Sequence, residues 1–207
     1  CCLAERVPGD CLGAAWEGLT AAEQVTALQG LWARAQAVHA VSAAEAGRVV
    51  SQRAWFNNTD PAEAAAGLAR VTAAGILSVA ERDVLLAALE QFWAALPAAP
   101  LALAHGDLTL DNAMWDGAQT NGLLDFEFAL LAPVQLDLNH LVKCAYGPDP
   151  GWPGLQQAVA ALARPWLATP SDQALLGGYA ILLELWLLEL WLAHPEGEVA
   201  SALAAAA

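Results

Sequence analysis

One stretch constrains the fold of this chain more than any other. In "LALAHGDLTLDNAMWDGAQTNGLLDFEFA", Leu101 to Ala129, helical periodicity stops and Asp107, Asp111, Asn112, Asp116 and Asp125 gather among short apolar runs. "NAMWD" and "GLLDFEF" read as strands, and Asp116-Gly117 and Asn121-Gly122 supply turn residues between them, so a hairpin is expected. The segments around it are helical. "TAAEQVTALQGLWARAQAVHA" opens with Thr20 and Glu23 in capping-box spacing and sets Val25, Leu28, Leu31, Trp32 and Ala35 on one stripe. "DPAEAAAGLARV" has Asp60 as N-cap and Pro61 at the first helical position, and "SVAERDVLLAALEQFWAAL" repeats the capping box with Ser78 and Glu81. Helices resume with "PVQLDLNHLVKCA", and two more follow the loop "YGPDPGWPG". The pattern predicts a mainly α fold with a small β hairpin (α+β), the carboxylates sitting on the hairpin.

Composition narrows the function classes. The chain has 207 residues, enough for one domain with a sizeable core or a large piece of a bigger protein. Hydrophobic residues make up 57% and charged ones 14%, which excludes disorder. The net charge is −14, with a single lysine, Lys143, so no basic patch can follow a nucleic-acid backbone. An acidic surface suits a cationic small molecule as well as solubility. Cys1, Cys2, Cys11 and Cys144 show no C-x-x-C spacing, and no leader-like segment opens the chain, so a reducing, cytoplasmic setting is expected. "LLGGYAILLELWLLELWLA" is apolar enough to suggest a membrane span, but Glu184 and Glu189 favour a helix packed inside the protein, with no membrane partner.

The hairpin residues point to chemistry. Asp107 follows an apolar run, in a loop that Gly106 lets bend sharply. Asn112 enters the first strand and Asp125 ends an apolar run on the second, so the two are expected to face one another across the hairpin. An amide oxygen and a carboxylate so placed are hard ligands suited to Mg²⁺, which keeps waters and bridges to nucleotide phosphates. Asp107 is then left beside the metal as a base or hydroxyl-orienting group, a division of labour that phosphoryl transfer requires. Asp111 and Asp116 read as turn or cap residues. His39, His140 and His194 have no partner at recognisable spacing and are expected to be structural. The tryptophans read as core or helix-contact residues, with a substrate-stacking wall as the alternative for Trp152 and Trp166.

"HGDLTLDN" followed by "LLDFE" resembles the signature of the aminoglycoside phosphotransferase and choline kinase family of kinase-like enzymes. The Asp-x4-Asn spacing also matches the protein-kinase catalytic loop, with Gly in place of Arg. The resemblance implies a protein-kinase-like C-terminal lobe that transfers the γ-phosphate of ATP or GTP to a hydroxyl of a small molecule. Asp107 is then the catalytic aspartate, and Asn112 and Asp125 hold Mg²⁺. His105 shapes the loop with Gly106, Glu127 supports Asp125 from behind, and Asp137 in "PVQLDLNHL" braces the catalytic loop. "AERVPGDCL" looks like the family's hinge strand and the turn after it, with the backbone of Glu5, Arg6 and Val7 at the adenine edge. Residues 1–12 are thus expected to lead from an N-terminal lobe absent from this chain, and residues 13–207 to form the catalytic and substrate lobe.

Such a kinase also needs a glycine loop over the phosphates and a strand lysine that contacts them. Neither occurs before the motif, and Lys143 lies beyond it. Three arrangements fit: a lower lobe whose upstream half lies outside this sequence, an inactive lobe kept as a binding or protein-interaction module, or a lobe completed by a partner chain. Proteins of this general resemblance phosphorylate aminoglycosides, choline, homoserine, macrolides and modified sugars, so the resemblance implies a small-molecule hydroxyl as acceptor.

Overall fold

A computed structural model describes residues 7–48, 50, 60–146 and 153–194, without the side chains of 144 and 153–155. The chain divides into two compact units, Cys1–Ser51 with Leu101–Trp166 and Gln52–Pro100 with Leu167–Ala207. Helices dominate, joined by small antiparallel sheets, as the periodicity predicts.

The first unit carries β1 (Asp10–Cys11), α1 (Leu12–Ala15), α2 (Ala21–His39), α3 (Ala43–Ala46), β2 (Ala102–Ala104), β3 (Ala113–Trp115), β4 (Thr120–Leu123), β5 (Leu130–Ala132), α6 (Gln135–Tyr146) and α7 (Pro153–Ala163). The Thr20/Glu23 capping box closes as expected and starts α2. Its buried stripe is Ala27, Leu28, Leu31, Trp32 and Ala35. Gln24 is buried beside that stripe because its Nε2 donates to the carbonyls of Trp16 and Leu19, at 3.2 and 3.3 Å. The stripe lies on β4: the Thr120 hydroxyl donates to Ala27 O at 2.8 Å, and a Cβ at Gly30 would come within 3.1 Å of Thr120. Trp166 meets Trp32 edge to face at 5.9 Å, a packing contact of the kind expected for most of the tryptophans.

The predicted hairpin is β3 and β4, with Ala113 opposite Leu123 and a register shift after Met114, although of "GLLDFEF" only Gly122 and Leu123 are strand. Two features depart from the sequence reading. First, β1 adds a third strand, giving the order β1-β3-β4, and the run "LALA" pairs as β2 with β5 in a separate two-stranded sheet. Second, only Asp116-Gly117 forms the turn: Asp116 accepts from the backbone N–H groups of Ala118 and Gln119, and Gly117 takes φ 95°. Asn121 and Gly122 lie inside β4. Asn121 Nδ2 donates to Pro8 O at 2.8 Å, and a Cβ on Gly122 would stand 2.6 Å from Val7 Cγ1. That glycine admits a neighbouring side chain instead of reversing the chain.

The second unit consists of α4 (Pro61–Ala73), α5 (Val79–Ala95) and α8 (Pro170–Ala193). Asp60 caps α4 through the N–H groups of Ala62 and Glu63, and the Ser78/Glu81 box starts α5. A capping box of Thr169 and Asp172 starts α8. Among the described residues α8 is the one helix long and apolar enough to cross a membrane. Here it packs on α5, where Phe92 and Tyr179 meet edge to face at 5.1 Å, and on α4, where Arg70 Nε donates to Glu189 at 2.8 Å.

Gly178 decides how closely α5 and α8 approach. A Cβ there would lie 2.2–2.5 Å from the Phe92 side chain, whereas one at neighbouring Gly177 meets nothing within 4 Å. Gly178→Ala is expected to lower unfolding free energy by about 1–3 kcal/mol through overpacking. Gly177→Ala is expected to raise stability by up to about 1 kcal/mol from helix propensity. Urea unfolding of the two variants measures both; equal effects would show that this helix contact does not limit the packing.

Candidate active site

The site is assembled around a turn that ordinary side chains cannot make. Gly106 takes φ 85°, and a Cβ on it would stand 2.1 Å from Phe128 O. The left-handed backbone and the close carbonyl both require glycine there. Once turned, the loop presents the N–H groups of His105 and Gly106 to one target. His105 N donates to Asp137 Oδ2 and Gly106 N to Asp137 Oδ1, each at 2.9 Å. The same Oδ2 receives His39 Nε2 from the end of α2 at 2.8 Å. An ionised carboxylate only accepts, so the imidazole donates.

Asp137 has no exposed surface. Burial alone would raise its pKa, but the His39 hydrogen bond and charge and the two backbone donors win, holding the carboxyl below its usual range. His105 is fully buried as well. Its Nδ1 accepts Asp107 N–H at 3.3 Å, while Nε2 lies 2.7 Å from Leu124 O, a group that can only accept. That pair of partners selects the neutral tautomer with the proton on Nε2. The ring therefore links the loop to the strand end beyond β4, and Phe126 lies over it at 4.5 Å.

Asp107 emerges from this frame half-buried. Asn112 Nδ2 donates both to its carbonyl and to Oδ2, each at 2.9 Å. Oδ1 faces His140 Nδ1 at 3.8 Å. Asn112 precedes β3, and its carbonyl accepts Leu124 N–H at 2.9 Å. Its register partner is therefore Leu124, and Asp125 comes one residue later instead of directly opposite. Asp125 is exposed and is the one non-glycine with positive φ, at 61°, among the described residues. Such strain costs of order 1–3 kcal/mol and concentrates at functional sites.

Glu127 is exposed in the same turn. Asp111 points elsewhere: its Oδ1 lies 3.7 Å from Cys11 Sγ and fills the space beside Gly13. Val7 lies against Gly122, and Glu5 and Arg6 fall outside the described residues. The structure adds two histidines that sequence spacing left without partners. His140 follows Asp137 by three residues on α6, a one-turn relation that puts both on the face toward the loop. His39 lies 98 positions from Asp137 and carries no local signal.

The sign of the pH dependence follows from Asp137. Its folded pKa lies below the ordinary 3.8, so its stabilisation is complete above that value and is lost as pH falls through the lower folded one. Asp137→Asn leaves a backbone donor facing an amide NH₂ and is expected to cost about 1–3 kcal/mol at neutral pH. That deficit should shrink as the pH drops below 3.8. Urea unfolding of both proteins across the acid range measures it; a deficit independent of pH would mean that the anion is not what holds the loop.

The profile of the phosphotransferase enzyme family (APH) matches residues 1–175. Among solved structures, aminoglycoside-3'-phosphotransferase of type VIII is similar at 25% identity and a TM-score of 0.53, over 87% of this chain and 67% of its own. APH(2")-IIa in its ternary complex with streptomycin and ATP is similar at 11% identity and a TM-score of 0.54, over 95% of this chain and 66% of its own. That second likeness concerns the fold alone. The chain thus spans about two thirds of the length of either structure. No curated protein sequence matches it. With the family profile covering most of its length, the chain belongs to the APH phosphotransferase family.

Proposed function

We propose that residues 13–207 act as the C-terminal, catalytic and substrate lobe of a small-molecule kinase, moving the γ-phosphate of ATP or GTP to a hydroxyl group. The observation that carries this reading is the double hold of Asn112 on Asp107. One carboxylate oxygen is fixed, and the other is left for an incoming hydroxyl.

The donor set suits Mg²⁺. Asn112 directs Nδ2 to Asp107, which leaves its Oδ1 as a neutral oxygen ligand, and Asp125 offers an exposed carboxylate on adjoining backbone. Both are hard oxygen donors. Phosphate oxygens and water would complete the shell of a cation held by these two residues. When bound, Mg²⁺ would neutralise charge on the β- and γ-phosphates. The backbone of Glu5, Arg6 and Val7 would meet the base. The acceptor oxygen bonds to the γ-phosphorus, the bond to the β–γ bridging oxygen breaks, and the nucleoside diphosphate leaves. Asp107 takes the hydroxyl proton on Oδ1. The net charge of −14 favours a cationic acceptor, aminoglycoside-like or choline-like.

A second reading rests on Lys143, the only lysine, which lies in the last turn of α6. A chain without a phosphate-contacting lysine would bind a ligand or partner with little turnover, because positioning and charge stabilisation carry most of this chemistry. On this reading, supplying a glycine loop and lysine, in the same chain or from a partner, would not restore transfer.

Calorimetry with ATP, with and without Mg²⁺, and a γ-phosphate transfer assay test both readings. Asp125→Ala is expected to lose the Mg²⁺-dependent part of nucleotide affinity, and unchanged affinity would refute the metal assignment. Asp107→Asn is expected to keep binding while transfer falls about 10²–10⁴-fold. Mg²⁺-dependent binding without transfer, even with an upstream lobe supplied, would select the second reading.

A further inference from the structure

Among the described residues two side chains face the Asp107 carboxylate, and one of them belongs to the motif. Asn112 holds Oδ2 at 2.9 Å. His140, on α6, directs Nδ1 at Oδ1 from 3.8 Å, beyond a hydrogen bond but within the reach of charge. The imidazole is 11% exposed, and its Nε2 is sealed from solvent with no hydrogen-bond partner. A buried ring nitrogen without a partner is destabilising.

We infer that His140 is a positioning residue for Asp107, facing from α6 the carboxylate oxygen that Asn112 leaves open and holding it toward the acceptor hydroxyl. This inference rests on the phosphotransfer reading above. The groups facing the ring are Asp107 and the Gly106 backbone from the loop, and Asp137 and Lys143 from α6. Asp137 is in turn paired with His39 of α2. The α7 helix packed on α6 carries no titratable side chain. Burial pushes the His140 pKa below its usual value of 6.5, against the pull of the Asp137 and Asp107 charges and the Gly106 backbone. Burial thus favours the neutral ring, and the carboxylate beside Nδ1 favours the tautomer with its proton there, so the ring acts on Oδ1 through the N–H dipole. A proton added to it would place a full positive charge beside Oδ1 and make Asp107 a poorer acceptor of the hydroxyl proton. Transfer is therefore expected to decline as acid protonates the ring.

The test follows the four histidine rings of the full chain by NMR titration, with His140→Asn identifying the signal of interest. Removing the Asp107 charge removes support for the imidazolium, so the His140 midpoint moves to lower pH in Asp107→Asn. In the turn variant Asp116→Asn it stays in place. A midpoint that does not move in Asp107→Asn overturns the inference, and this readout needs no turnover. Loss of transfer by the native chain bears only on the phosphotransfer reading. In the transfer assay, His140→Phe is expected to lower kcat about 10–100-fold through misplacement of Asp107, with nucleotide KM unchanged. His140→Asn keeps a donor near the Nδ1 position and should recover part of that loss while abolishing the acid-side decline. Native kcat with an intact acid-side decline in His140→Phe overturns the inference.

Discussion

The site depends on one buried anion. Asp137 lies on α6 with no exposed surface and binds the two consecutive N–H groups of the turn that ends in Asp107. Taking a carboxylate out of water costs several kcal/mol. Hydrogen bonds to a charged group return about 1.5–3 kcal/mol each, and Asp137 accepts from His105, Gly106 and His39. Together these bonds outweigh that cost, which keeps the carboxyl ionised when the set is complete. Its effect is geometric: with any donor removed, desolvation is no longer offset, so the loop, the end of α2 and α6 are required in one arrangement.

Sterics complete what the anion begins. Gly106 lets the backbone pass beside Phe128 O, and that approach brings the two N–H groups into line for Asp137. The neutral tautomer of His105 then joins the loop to Leu124, one residue before the strained Asp125. Because Leu124 N also donates to Asn112 O, the loop and both proposed metal ligands share one hydrogen-bonded frame. A one-residue slip of β3 against β4 would turn every side chain of the shifted strand to the other face. Thr120 opposes such a slip, since its hydroxyl bonds Ala27 O and it occupies the space that a Cβ on Gly30 of α2 would need.

Local signals were legible in the sequence and distant pairings were not. Thr20, Asp60 and Ser78 announced their helices because a cap acts within three residues. The hairpin was legible for the same reason. Asn121-Gly122 misled because that dipeptide serves a turn or a close approach equally well, and the decision lay with Val7, more than a hundred positions away. The pairing of β2 with β5 and of β1 with β3 likewise depends on partners far along the chain. At the site, the motif placed Asp107, Asn112 and Asp125 near one another. It could not show that Asn112 binds Asp107 itself, or that His39 and His140 surround the loop.

Burial falls steadily from the frame to the residues proposed for chemistry. Asp137 and His105 are fully enclosed, Asp107 keeps 34% of its side chain exposed, and Asp125 is open. The order has a physical reason. Electrostatic contacts strengthen as water is excluded, so the groups that fix geometry act best where they are dry. Groups that exchange a proton, a cation or a substrate oxygen must remain accessible at each turnover. His140 lies between these limits, dry enough to favour the neutral ring and near enough to Oδ1 that a proton added to it would matter. Substitution at the dry end should therefore register first in stability, and substitution at the open end first in binding and transfer. A residue at the boundary should register in the pH dependence that connects them.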